Sequence, residues 1–190
     1  MGVNILINAF TIGGNSYRID IMNNLTKKLI IRIVFALLII GIIFYSSSQP
    51  YSKQNIQPLI SERLELPEPI VSLLSKVEFT YAGQIISVET KGIPGLIEFF
   101  IRKGAHFSIY FALAIAVASV IQLWMKKKPL KLAAMTMLFV FLYACSDEWH
   151  QSFNGERTPL FQDVMIDTVG GMFGVAIYIW WNRRGAFKKA

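Results

Sequence analysis

Cysteine is nearly absent: of 190 residues only Cys145 carries a thiol. That excludes an internal disulfide framework and any cysteine-based zinc cluster, so neither staple stabilises the fold. Histidine is scarce too, with two in the chain, and no HExxH spacing specifies zinc. There is no Gly-rich phosphate loop, no internal repeat and no low-complexity tract. Charged residues make up only 16% of the chain against 54% hydrophobic, with a mean hydropathy of +0.46. That composition excludes disorder and is too apolar for an ordinary soluble domain. A net charge of +7 and a pI near 9.6 would raise the question of nucleic acid in a soluble protein. Here they raise the question of which side of a membrane the charges occupy, and no nucleic-acid partner is expected.

Four apolar runs are long enough to cross a bilayer as helices, which takes about 17 to 25 residues. They are Leu29–Tyr45, Gly104–Trp124, Leu130–Ser146 and Val164–Trp181. Their continuity excludes the alternating strands of a membrane barrel. The fold class is therefore all-α: a polytopic membrane protein with four transmembrane helices and short interfacial helices in the segment between the first two.

Basic residues set the expected orientation. Lys27, Lys28 and Arg32 lie at the start of the first span, Lys126, Lys127, Lys128 and Lys131 at the second hinge, and Arg183, Arg184, Lys188 and Lys189 at the end. With Arg18 and Asp20 the pieces on that side sum to +11, and the remainder to −4. The positive-inside rule then places both termini in the cytoplasm. Residues 1–28 form a cytoplasmic segment, 29–181 the membrane domain and 182–190 a basic tail. Met22 opens a basic stretch and is a second candidate start, and the first span also has the outline of a secretory signal followed by Ser46, Ser47 and Ser48.

The outer segment, residues 46–102, is rich in Pro, Glu and Gln but is not wholly loop. Pro69–Leu74 and Ile93–Phe100 carry apolar residues at near-helical spacing, and Pro94 suits a first helical turn. One or two helices at the interface are expected, the second running into span two through Phe99, Phe100 and Ile101. A strand around Val77–Val88 is the alternative.

A charged residue inside a spanning helix costs about 2.5 to 3.5 kcal/mol on insertion scales, so such residues tend to face protein or water. Lys103, His106 and Tyr110 share one face of span two. Asp147, Glu148, His150 and Gln151 end span three, and Asp163 and Asp167 open span four. Antiparallel order brings all three groups to the outer side, where Asn154 and Gly155 allow the intervening loop to fold Arg157 over the helix ends. Both histidines and three of the four aspartates gather there. An outward polar pocket is the expectation. A purely structural reading accounts well for Asp163, as an acid near a helix N-terminus, and for Lys103, as a snorkelling base. It accounts less well for His106 and Asp167, each a turn inside its span. Gly170, Gly171 and Gly174 are packing residues by their spacing, and Trp124, Trp149, Trp180 and Trp181 fall at span ends as belt residues.

The order Ser46-Ser47-Ser48-Gln49-Pro50, Arg102-Lys103-x-x-His106-x-x-x-Tyr110, Ser146-Asp147-Glu148-x-His150-Gln151, Arg157 and Asp163-x-x-x-Asp167-x-x-Gly170 resembles the successive motifs of VanZ-like membrane proteins over about residues 30 to 181. The resemblance implies a small bacterial multi-helix protein of the cytoplasmic membrane, associated with resistance to glycopeptide antibiotics such as teicoplanin. It carries over Lys103, His106, Tyr110, Asp147, Glu148, His150, Gln151, Arg157, Asp163 and Asp167 as candidate ligand-binding residues.

Three functions compete, beside a purely structural protein whose long outer segment is a partner-binding surface. The first is an envelope-stress or resistance protein whose pocket binds an anionic or lipid-linked envelope component, with Lys103 and Arg157 on phosphate or carboxylate. The second is a hydrolase or transferase acting on lipid headgroups, with Glu148, His150 and His106 as candidate catalytic acid and base groups; with Asp163 and Asp167 these offer hard or borderline metal donors, but no cofactor or metal ligand is assigned. The third is a small proton-coupled transporter titrating at Asp167 and His106. Membrane lipids are the expected surroundings, and an oligomer is compatible with each reading.

Overall fold

The computed structural model describes residues 2–125, 128–153, 155 and 158–187, with side chains described from Asn23 to Arg183. Four long helices form a bundle: α1 (Gly2–Ser48), α5 (Val88–Ile121), α6 (Pro129–Gln151) and α7 (Phe161–Phe187). Each contains a stretch long and apolar enough to cross a membrane, Asn23–Ser48 in α1, all of α5 and α6, and Phe161–Arg183 in α7. The chain is a multi-pass helical membrane protein. Between α1 and α5 lie three short helices, α2 (Tyr51–Gln54), α3 (Gln57–Arg63) and α4 (Glu68–Leu74), then the strands β1 (Glu78–Tyr81) and β2 (Gln84–Ser87).

Burial follows helical periodicity. On α1, Ala36, Ile39, Ile43 and Ser47 are buried, while Leu37, Leu38, Ile42 and Phe44 are exposed. On α6 the buried line runs Leu132, Thr136, Val140, Ala144, Asp147, Gln151. These stripes face the bundle, and the exposed apolar residues on the opposite faces suit lipid. Trp124, Trp149, Trp180 and Trp181 are all exposed near helix ends, as belt residues should be.

The centre is the α5·α7 packing. A Cβ on Gly170 would collide with the carbonyl oxygen of Phe107, and one on Gly174 with that of Phe111. Only glycine lets the two backbones approach this closely.

Helix α5 starts earlier than the apolar run beginning at Gly104. Ser87 caps it through a reciprocal box with Thr90. A bend follows at Gly92, whose φ of 68° is open to glycine at little cost, and Pro94 sits in the first turn beyond the bend. Glu98, Arg102 and Lys103 therefore lie on one continuous helix with His106 and Tyr110.

The stretch 77–88, a strand by alternative expectation, is a two-stranded antiparallel hairpin with Glu78 opposite Ser87 and Tyr81 opposite Gln84. Ala82 (φ 51°) and Gly83 (φ 77°) form its turn, a two-residue loop with positive φ at both positions. The alternation that marks a half-buried strand is weak here because Ile85 and Ile86 are adjacent; Ile86 is buried and Ile85 exposed. Helices α3 and α4 expose Leu59, Ile70 and Leu73, apolar surface fitted to the membrane interface.

Candidate functional site

The polar residues gather at the end of the bundle that carries the hairpin. Asp163 is the meeting point of three elements. Lys103 on α5 reaches its Oδ1 at 2.5 Å, and the Tyr81 hydroxyl on β1 donates to the same oxygen. The Lys103 ammonium also lies 4.8 Å from the Tyr81 ring centroid and 5.5 Å from that of Phe99, a favourable position for a cation. Tyr81 is held far from ionisation. Burial is the main cause, and its hydrogen bond to the Asp163 carboxylate adds to it.

One turn deeper, His106 Nδ1 lies 3.3 Å from Asp167 Oδ1. Asp167 is fully buried, and neither of its oxygens nor His106 Nδ1 completes a well-oriented hydrogen bond. Tyr110 is also fully buried, with its hydroxyl unpartnered. Its ring lies 6.2 Å from that of Tyr143, whose hydroxyl donates to the Ile40 carbonyl at 3.0 Å and ties α6 to α1.

Asp147 accepts from the Ser47 hydroxyl on α1 and from Gln151 Nε2 at 3.2 Å. Glu148 Oε2 accepts from the Leu160 backbone N–H at 2.9 Å, which anchors the approach to α7, while its Oε1 is buried without a partner. His150 is set apart from these groups. It stacks on Phe44 with centroids 4.4 Å apart, and it lines neither of the cavities described below. Arg157, expected over the helix ends, lies outside the described residues.

Two cavities adjoin the cluster. One of about 460 Å³ lies beneath the hairpin and short helices and includes Tyr81, Glu98, Arg102, Lys103, Gln151 and Asp163 in its wall. The other, about 420 Å³, lies between α1, α5 and α6 against Ile42, Ile43, Ser47, His106, Tyr110 and Asp147. Arg102 and Gln151 belong to both walls.

Several of these residues escaped the sequence reading of the site. Glu98 is buried and accepts from Gln57 Nε2 at 2.6 Å, Tyr51 Oη at 2.8 Å and the Ile56 N–H at 3.3 Å. It thereby holds α2 and α3 on α5. Burial, then the bond to Glu98, raises the Tyr51 hydroxyl above its ordinary pKa near 10. The only sequence signal for Glu98 was a lone acid among the apolar residues of 93–101. Tyr81 had none, since its partner is 82 residues away. Ser47 and Arg102 lie within the motifs that carry the resemblance, which gives them no role.

Among the described residues no three of His, Cys, Asp and Glu converge as a metal site. The set His106, Glu148, His150, Asp163 and Asp167 is spread over separate partners instead. The arrangement offers buried carboxylates held by neutral or cationic donors, beside a cavity wall that includes a guanidinium. That combination can bind an anion or exchange protons with one.

Residues 32–182 match the family model described as VanZ/LLP1. No curated protein and no solved structure matches the chain.

Proposed function

The chain belongs to the VanZ/LLP1 family, and from that premise we propose that it acts in the bacterial cytoplasmic membrane as an envelope protein, binding an anionic, lipid-linked component at its polar end. Both termini lie in the cytoplasm, because the basic residues concentrate there. The hairpin, the short helices and the carboxylate cluster then face outward. The role is in envelope stress or resistance to glycopeptide antibiotics.

One observation carries this reading. Asp147, Glu148, Asp163 and Asp167 are all buried at one end of the bundle, where Asp163 lines the cavity of about 460 Å³ whose wall includes Arg102 and Lys103, and Asp147 lines the neighbouring one of about 420 Å³. A bundle needs no such residues for packing, and in membranes buried ionisable groups mark functional sites. Lys103 is occupied by Asp163 and lies against the face of the Tyr81 ring. Its part is to shape the wall and hold the hairpin, leaving Arg102 and Arg157 to meet the anion.

The test is a deletion strain complemented with wild type, His106→Ala, Glu148→Ala or Arg157→Ala and challenged with envelope-targeting antibiotics. Each variant should be expressed at the wild-type level and fail to restore growth. Full complementation by all three would reduce the cluster to packing.

A second reading, hydrolysis or transfer at a lipid headgroup, is favoured by buried polar atoms that complete no hydrogen bond: Glu148 Oε1, both Asp167 oxygens and His106 Nδ1, the last paired only electrostatically with Asp167. Buried polar atoms in that state call for a ligand, a water or a proton-transfer role. Release of a headgroup by reconstituted protein, lost in Glu148→Gln, distinguishes catalysis from binding.

A further inference from the structure

The second cavity opens sideways. Its wall includes Ile42 and Ser46 on α1 and Ala105 and Ser108 on α5, all four exposed on the outside of the bundle. These positions lie within membrane-spanning helices. The α5 side of the gap is built from small residues: Ala105 and Ser108 line it, and a Cβ at neighbouring Gly104 would meet nothing within 4 Å. Ile42, Ile43 and Ile109 supply its apolar lining. A volume of about 420 Å³ falls in the usual range for a small-molecule pocket.

Arg102 stands where this gap meets the polar cavity, in the wall of both. Among the described residues the ion pairs are Lys103 with Asp163 and His106 with Asp167, so Arg102 has no carboxylate partner there. Its guanidinium lies 5.2 Å from the centroid of the Tyr51 ring. Tyr51 is in turn held by Glu98 and Gln57, which fixes the position of that ring. A guanidinium placed against an aromatic ring keeps its N–H edges available for a phosphate.

We propose that an amphiphile with a net-anionic phosphate headgroup enters this site laterally from the membrane between α1 and α5, its hydrocarbon chain in the gap lined by Ile42, Ile43 and Ile109 and its phosphate on Arg102. The inference rests on the anion-binding reading above and adds a route, a chain site and a headgroup contact. The hydrocarbon need not cross water, and the phosphate meets the one described cation at the junction that no carboxylate neutralises. The polar cavity then receives whatever the phosphate bears.

The full chain is reconstituted in phosphatidylcholine vesicles containing a small fraction of phosphatidic acid with a diazirine in mid-chain. Phosphatidylcholine carrying the same diazirine serves as the control. After illumination, the phosphatidic acid probe should label peptides containing Ile42, Ile43 and Ile109 above the control. Arg102→Gln should weaken that preference roughly tenfold or more, the loss expected for a charge-assisted contact. Ala105→Leu with Ser108→Leu should fill the gap and abolish labelling of these peptides, while melting as wild type because both positions are exposed.

Inorganic phosphate binding, measured by calorimetry on the same samples, separates the sources. Phosphate binding that depends on Arg102, without preferential labelling by phosphatidic acid, would overturn lateral entry while leaving the anion pocket in place. Equal labelling by both probes, with no phosphate binding, would overturn the headgroup contact as well; the envelope role would still be judged by complementation. A preference for phosphatidic acid that survives Arg102→Gln would overturn the assignment of that residue.

Discussion

Lys103 and Asp163 stand 60 residues apart in sequence and form an ion pair of 2.5 Å between α5 and α7, with side chains 13% and 9% exposed. The Tyr81 hydroxyl shares the Asp163 oxygen. This one carboxylate therefore joins two spanning helices and the hairpin, and closes the polar end of the bundle from one side.

Breaking that junction should be costly. Lys103→Met leaves a nearly buried carboxylate with only a neutral donor and should destabilise by about 3 kcal/mol, in the range for removing one partner of a buried pair. Tyr81→Phe removes a single hydrogen bond and should cost about 1 to 2 kcal/mol. Thermal unfolding in detergent measures both. The double variant Lys103→Met with Asp163→Asn should lose less than the sum of the two single changes. Simple additivity would show that the pair does not couple.

Alkali should open the same clasp. The folded state raises the Tyr81 hydroxyl above its ordinary value near 10, by burial first and then by the bond to Asp163. The folded chain thus holds that proton more tightly than the unfolded chain. The stabilisation is complete below about pH 10 and is lost as pH rises above it. Tyr51 shifts in the same direction. Melting temperature followed from about pH 8.5 to about pH 11 should fall, and the fall should be shallower in Tyr81→Phe with Tyr51→Phe. Equal slopes would mean that these hydroxyls do not contribute.

The glycines of α7 separate packing from chance. Gly170→Ala and Gly174→Ala each drive a methyl into a backbone carbonyl of α5, which cannot move aside as a side chain can. Each should destabilise by about 2 kcal/mol or more. Gly41→Ala, where nothing lies within 4 Å of the added carbon, should be neutral or slightly stabilising because it removes a flexible residue from a helix. Equal melting temperatures for Gly41→Ala and Gly174→Ala would contradict the close α5·α7 approach.

The resemblance motifs pointed to most of the residues at the polar end but not to their partners. His150 and Gln151 are adjacent in sequence, yet Gln151 bonds Asp147 and lines both cavities, whereas His150 stacks on Phe44 and lines neither. Helical spacing gives a shared face to within about a quarter turn; which of two neighbours points inward depends on where α1 lies. Lys103 and Arg102 show the same limit. The two bases are adjacent, but Asp163 neutralises one of them and no described carboxylate neutralises the other.

The linear chain by itself determined the four spans, the all-α class and the gathering of polar residues at one end. Those follow from terms summed residue by residue along a segment, namely the transfer of apolar side chains into lipid and the need to satisfy each backbone amide within a helix. Only the tertiary structure decided that residues 78–87 pair as a hairpin delivering Tyr81 to Asp163, that Glu98 holds the short helices, and that Arg102 stands where two cavities meet. Each of these depends on a pairing across tens of residues between groups of ordinary local preference, and no local term distinguishes the right partner until the helices have packed.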